Sequence, residues 1–368
     1  MKVISVVGAR PNFIKVAPLL SAMQEYGETF QSVLVHTGQH YDYQMSRLFF
    51  EELEMPDPDE FLNVGSGTHA EQTARVMLAF EPVVVKHHPD WVIVVGDVNS
   101  TLACALVCAK LNVRLAHVEA GLRSWDRSMP EEINRLLTDQ LADLLFTPSR
   151  DGDANLLREG IPPEKIHFVG NVMIDTLVKM LPRALHRPVL EHLGLKIRGY
   201  ILVTLHRPSN VDQPETLLEI LQALDEIGQD YPVVFPVHPR TRQQIDRLGG
   251  SWQPHHIRLL EPLGYLDFLA LENAASLVLT DSGGIQEETC SLGVPCLTLR
   301  PTTERPVTIQ SGLNRLVASR RPAILSAVKD ALAVQASLSG QADRKMDHQP
   351  PELWDGHAAR RIVRVLLG

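Results

Sequence analysis

Cysteine is scarce in this chain. Four occur in 368 residues, too few and too scattered for a disulfide framework. Cys104 and Cys108 lie four apart in an Ala/Leu-rich segment of helical pattern, which favours a buried role over a thiol site. Positive charge is also in deficit. Lys and Arg total 35 against 44 Asp and Glu, a net charge of −9, so no general affinity for nucleic acid or an anionic membrane is expected. A local basic site for one phosphate ester remains compatible with that balance. No apolar run approaches the roughly 18 residues of a spanning helix. Near the N-terminus, Val3–Val7 meets Gly8 and Arg10 too early for a secretory leader. A cytoplasmic location is the expectation.

Cofactor fingerprints are missing as well. The turn Gly8-Ala9-Arg10-Pro11 is neither a Walker loop nor a G-x-G-x-x-G, which removes support for ATP and nicotinamide readings. No G-x-S-x-G supports Ser/His/Asp hydrolysis. His40, His69, His117, His206 and His238 are scattered, without metal-ligand spacing. His87-His88 and His255-His256 stand beside prolines in what read as surface loops. No metal and no cofactor are expected.

What the chain does have is a repeated alternation of short β-branched runs and amphipathic helices. Val3–Val7, Ser32–His36, Trp91–Val95, Val113–Val118, Leu144–Thr147 and Ile166–Val169 read as strands. Helical patterns follow, among them Met45–Leu53, Leu102–Leu111 and Pro130–Leu141. Regularity lapses around Pro182–Gly199, and a second cycle begins with Tyr200–Leu205, Val233–Val237, Ile257–Leu260, Leu277–Thr280 and Pro295–Leu299. Continuous apolar strands alternating with helices indicate parallel sheets covered on both faces. The expected fold class is α/β, with two Rossmann-like α/β/α domains facing a central cleft. The expected domains are 1–180 and 181–354, with a final helix in 355–368 packing back onto the first. Loops after the carboxyl ends of such strands carry the binding site.

Those loops hold the polar residues. Arg10 and Lys15 flank a strand-to-helix turn where helix amides favour an anion, although a plain turn with solvated side chains fits equally. Asp281-Ser282-Gly283-Gly284 opens a helix bearing Glu287 and Glu288. Glycines let a phosphate approach the backbone, and Glu288 can accept from a ribose diol. A uridine diphosphate ester explains these residues together, while surface carboxylates after a Gly-rich turn are the alternative. Asp97 and Glu119 each follow a buried strand directly. Glu131 and Glu132 follow Pro130 at a helix start, where a dipole role competes with an acid/base one. His206 and His238 end equivalent strands and suit acid/base or phosphate roles.

These stretches resemble the non-hydrolysing UDP-N-acetylglucosamine 2-epimerase family. The matching segments are Gly8–Lys15, Gly38–His40, Gly96–Thr101, His117–Arg123, Pro130–Arg135, Gly170-Asn171, His206-Arg207, Pro236–His238, Asp281–Glu288 and Thr303–Pro306. The resemblance implies a glycosyltransferase-B-like fold, a homodimer, and interconversion of UDP-GlcNAc and UDP-ManNAc through a 2-acetamidoglucal, for surface polysaccharide. It implies catalytic roles for Asp97, Glu119, Glu131, His206 and Lys15. UDP-sugar contacts fall on Arg10, His238, Ser282, Gly283, Gly284, Glu288 and Arg305. Asn12, Phe13, Pro208-Ser209-Asn210, Val307 and the Tyr41-Asp42-Tyr43 continuation depart from the commoner pattern. The last of these puts activation by a second UDP-sugar in doubt and leaves room for a relative acting on UDP-2,3-diacetamido-glucuronic acid. A glycosyltransferase of the same fold, or a silent UDP-sugar binder, is the alternative of another class.

Overall fold

The computed structural model describes residues 1–38, 49–249, 252–338 and 349–368. Gln39-His40, the Tyr41-Asp42-Tyr43 continuation and the start of the helix expected at Met45 lie outside them. The chain divides into two compact units, Met1–Lys179 with Glu352–Gly368, and Met180–Pro351.

In the first unit the strands are β1 (Lys2–Val7), β2 (Gln31–His36), β3 (Glu60–Phe61), β4 (Trp91–Val95), β5 (Leu115–Val118), β6 (Leu144–Thr147) and β7 (Ile166–Phe168). They form one parallel sheet in the order β3-β2-β1-β4-β5-β6-β7. Its main helices are α1 (Arg10–Gln24), α2 (His69–His87), α3 (Asn99–Leu111), α4 (Pro130–Leu141) and α5 (Arg150–Arg158). The next helix, α6 (Val172–Ala184), continues through Pro182 and carries the chain past the division.

Strands β1 and β4 are buried almost throughout, as expected for a sheet covered on both faces. Helix α2 has a reciprocal cap at Thr68 and Glu71, and His87 belongs to its last turn rather than to a loop. Cys104 and Cys108 are buried in α3, and burial pushes the Cys108 thiol up to about 12.

The second unit winds the same way. Its strands are β8 (Ile201–Thr204), β9 (Val233–Pro236), β10 (Ile257–Leu260), β11 (Leu277–Thr280), β12 (Cys296–Thr298) and β13 (Asn314–Leu316). Their order is β10-β9-β8-β11-β12-β13, again all parallel. The main helices are α7 (Pro214–Ile227), α8 (Pro239–Arg247), α9 (Tyr265–Ala274), α10 (Gly283–Leu292) and α11 (Arg321–Leu338). Short helical turns occupy 189–192, 208–211 and 306–310.

The last helix, α12 (Ala358–Leu367), packs on α1. Two local devices hold this tail. Gly170 is left-handed, and a Cβ there would sit 2.1 Å from the Leu353 carbonyl oxygen, so only glycine permits the approach. Asp175 accepts from the first amides of α12, Ala358 at 3.0 Å and Ala359 at 2.7 Å.

Each sheet reverses its winding direction between its first and fourth strands, β1 and β4 in one, β8 and β11 in the other. Crevices at such points receive ligands. The Gly8 and Gly96 turns leave the first switch point, and the His206 and Asp281–Gly284 turns leave the second.

Candidate active site

At the first switch point, Arg10 opens α1. Asn12 closes the turn: its Oδ1 accepts from Gly8 at 3.1 Å and Ala9 at 2.9 Å, while its Nδ2 donates to the Val95 carbonyl at 3.1 Å. One turn on, Lys15 is only 5% exposed and forms an ion pair with Glu119, 6% exposed. It is not a solvated lysine. Gly96 is left-handed, and a Cβ there would lie 3.0 Å from Lys15 Nζ and 3.7 Å from Glu119 Oε2. Glycine thus makes space for the pair. Glu119 adopts a φ of +72°, an uncommon conformation for a residue with a side chain. The loop bearing the acid is held under constraint.

Asp97 pairs with Arg135 of α4, and Asn134 Nδ2 donates to the Asp97 carbonyl at 2.9 Å. Helix α4 is inverted in its polarity. Its buried residues are Glu132, Asn134, Arg135, Thr138 and Asp139, all polar, while Leu137 is exposed. The two adjacent glutamates separate in role. Glu131 is half-buried in the first turn. Glu132 is buried, accepts from Ser124 N–H at 3.0 Å and Trp125 N–H at 2.9 Å, and pairs with Arg135 at 2.7 Å. Burial would raise its carboxyl, but these donors and Arg135 hold it below the ordinary range.

At the second switch point, Asp281 is the organiser. It is fully buried and accepts from the backbone of His206 at 3.1 Å, from that of Arg207 at 3.0 Å and from Asn210 Nδ2 at 3.1 Å. Its Oδ1 lies 3.1 Å from His206 Nδ1, which leaves Nε2 of that part-exposed ring for another partner. Desolvation would raise the Asp281 carboxyl, yet His206 and these donors keep it low. The His206 and His238 rings stand 6.3 Å apart, so the two strand ends do meet. His238 Nδ1 accepts from the Arg240 amide at 3.3 Å.

Ser282 precedes α10, and no side chain caps that helix, leaving first-turn amides for an anion. A Cβ at Gly283 would be 2.8 Å from the Arg305 guanidinium. Gly284 is half-buried in the same turn. Arg305 is 5% exposed and is shared by Glu287 at 3.0 Å and Glu304 at 2.6 Å. Burial opposes the Glu304 charge, but Arg305, Arg300 and Arg207 drive its carboxyl far below the usual range.

Glu288 is not a surface carboxylate. It accepts from the Tyr265 hydroxyl at 2.8 Å and faces a second buried acid, Glu272. Burial pushes Glu288 up to about 7, and burial beside Glu288 raises Glu272 well above the ordinary carboxylate range. One proton between the two suits both.

Sequence reasoning singled out the acids and missed their supports: Asn12, Arg135, Asp139, Tyr265 and Glu272. One signal was available. Glu131, Arg135 and Asp139 recur every four residues, which places three charges on one helix face. Among the described residues, no group of three or more His, Cys, Asp or Glu is arranged to hold a metal ion. No helix among them is long and apolar enough to cross a membrane.

Two doubly wound parallel sheets, with acids at one switch point and a glycine-opened helix at the other, define a nucleotide-binding α/β enzyme of the glycosyltransferase-B-like kind. A sequence model of the family described as UDP-N-acetylglucosamine 2-epimerase matches residues 22–367, and the chain belongs to that family. It is 42% identical to the UDP-N-acetylglucosamine 2-epimerase of Methanocaldococcus jannaschii, over 100% of this chain and 99% of the relative. It is 44% identical to the UDP-2,3-diacetamido-2,3-dideoxy-D-glucuronate 2-epimerase of Pseudomonas aeruginosa, over 93% of this chain and 95% of the relative. The crystal structure of the Neisseria meningitidis UDP-GlcNAc 2-epimerase bound to UDP-GlcNAc is 32% identical. It superposes with a TM-score of 0.89, covering 100% of both chains.

Proposed function

We propose that this protein interconverts UDP-GlcNAc and UDP-ManNAc by elimination and re-addition of UDP, supplying N-acetylmannosamine donors for surface polysaccharide. The observation that carries the reading is the buried Lys15–Glu119 pair beside the Gly96-Asp97 turn, in a chain of this family. In the forward half-reaction a carboxylate takes the C2 proton as the C1–O bond breaks. The electron pair of C2–H becomes the C1–C2 double bond, and UDP leaves with the electrons of C1–O. In the reverse half a proton returns to the opposite face of C2 and UDP re-adds at C1. No carbon changes oxidation level overall, so no redox cofactor is called for.

Asp97, Glu119 and Glu131 are assigned the proton transfers, with Lys15 compensating the charge on Glu119 and His206 serving acid/base work at the leaving group. Negative charge grows on the diphosphate as C1–O breaks. Arg10, His238, Arg305, Ser282 and the amides of Gly283 and Gly284 are assigned its stabilisation. Glu288 is assigned the ribose diol. The protein is proposed to act in the cytoplasm as a homodimer, which light scattering on the purified protein tests.

Incubation with UDP-GlcNAc in heavy water is the direct test. Deuterium should enter C2 of both epimers without any acceptor, followed by proton NMR. Retention of C2–H, with product formed only when an acceptor is added, would instead make the protein a glycosyltransferase. The 44% identity to the P. aeruginosa enzyme favours running UDP-2,3-diacetamido-glucuronic acid in parallel. Faster exchange on that sugar would assign the epimerase to the more decorated substrate.

A further inference from the structure

One buried cluster in the first unit has no part in that chemistry. His117 on β5 and Asp139 on α4 are both fully buried. His117 Nδ1 lies 2.6 Å from Asp139 Oδ1, and its Nε2 donates to the Gly96 carbonyl at 2.8 Å. The other oxygen of Asp139 accepts from the Gly121 amide at 3.1 Å and pairs with Arg123 at 2.7 Å. Arg123 is tied in turn to Glu159 at 2.6 Å. Burial would raise the Asp139 carboxyl, but His117 and Arg123 hold it below the ordinary range.

The placement of these bonds is informative. Asp139 grips the residues two before and two after Glu119, so its two oxygens bracket the acid whose backbone is left-handed. A constrained conformation of that kind persists only where its surroundings over-determine it. The same imidazole reaches across to Gly96, the residue before Asp97, and the Gly96 amide donates to the Val118 carbonyl at 3.0 Å. One ring therefore joins the two loops that present Asp97 and Glu119. Helix α4 supplies both anchors, Arg135 to Asp97 and Asp139 to His117, four residues apart, with Glu131 a further turn toward its start.

We propose that His117 and Asp139 are positioning residues for the proton transfer. They set the Gly96-Asp97 and Glu119–Gly121 turns relative to one another, without touching substrate. This inference rests on the epimerase reading. It predicts that the bond to Gly96 matters for turnover and not for nucleotide binding, since the residues assigned to UDP lie mainly in the other unit.

Two polar substitutions separate the ends of the ring. His117→Gln carries an amide N–H near the Nε2 position and retains a donor for the Gly96 carbonyl. His117→Asn carries its amide near Nδ1 and retains only the contact to Asp139. The expected result is a kcat within about tenfold of wild type for His117→Gln and a loss of at least about 100-fold for His117→Asn, the scale of a misplaced reacting group. KM for UDP-GlcNAc and Kd for UDP should stay within about threefold in both. Equal kcat values, or a loss carried by KM or UDP affinity, would overturn the proposal. Recovery of both variants only as unfolded protein would overturn it too, since the pair would then serve stability alone. Wild-type deuterium exchange at C2 keeps the two levels apart. If wild type shows none, the epimerase reading fails; if wild type exchanges and the variants match, only the positioning role fails.

Discussion

The two units share one order over six strands, to which the first adds a seventh, and use their switch points differently. In the first, each acid that leaves the sheet is met by a cation from a helix: Glu119 by Lys15, Asp97 by Arg135. In the second, the sheet end offers donors, with His206 held by Asp281 and the uncapped start of α10 beside Arg305. One winding thus supports cation-paired acids at one switch point and an uncapped helix start beside an arginine at the other. The backbone order fixes where the loops emerge, and the side chains on those loops decide the chemistry.

Substituting the acids is the hardest test of that division. Asp97→Asn, Glu119→Gln and Glu131→Gln should each lower turnover by at least about 100-fold, the scale of one acid/base contribution, with UDP affinity changed far less. Calorimetry with UDP alongside the exchange assay reads both quantities. Near-normal turnover in all three would make the first switch point structural.

The converse holds for the second unit. Glu288→Ala should weaken UDP binding by about 1.5–3 kcal/mol, the worth of hydrogen bonds to a charged group. Arg305→Ala should weaken it as well, and it should also lower stability by leaving Glu287 and Glu304 without that cation. Unchanged affinity in both variants would move the nucleotide away from α10.

Gly283→Ala is a finer probe. The added Cβ would press on the Arg305 guanidinium at 2.8 Å, so that side chain must shift. A several-fold loss of UDP affinity with C2 exchange retained at saturating sugar is expected. A variant indistinguishable from wild type would show that Arg305 yields freely and that the close approach is incidental.

The smallest effect is one of pH. The Glu272–Glu288 pair has carboxyls raised by burial, Glu288 to about 7. Between the ordinary carboxylate range and that value, the folded state holds more protons than the unfolded chain. Stability from this pair is therefore full only below the ordinary carboxylate range and falls as pH rises, the Glu288 share being lost by about pH 7. Denaturant titrations at pH 5 and pH 8 should show a steeper loss in wild type than in Glu272→Gln, where one acid is gone. Parallel pH dependences in the two proteins would mean that the pair does not titrate as a unit.

Much of the frame was legible because it depends on local pattern. The strands Trp91–Val95, Leu144–Thr147, Ile257–Leu260 and Leu277–Thr280, and the helix Pro130–Leu141, fall where apolar runs and a first-turn proline put them. The edge strands Glu60–Phe61 and Asn314–Leu316 were not legible, being only two and three residues long with little apolar pattern. The helix His69–His87 was missed although its Thr68-x-x-Glu71 cap was written in the chain. For the site, residues directly after strands stood out. Those acting through them, such as Asp139, Tyr265 and Glu272, looked like ordinary polar positions.

By itself, then, the sequence determined the alternation of strands and helices, the loops that carry the polar residues, and the family. These follow from periodicity and motif spacing, which act over a few neighbours along the chain. Only the tertiary structure decided which charges meet. Lys15 finds Glu119 across more than a hundred residues, His117 finds both Gly96 and Asp139, and Glu288 is turned inward against Tyr265 and Glu272. Burial and pairing set the state of each ionisable group, and neither can be read before the chain has folded back on itself.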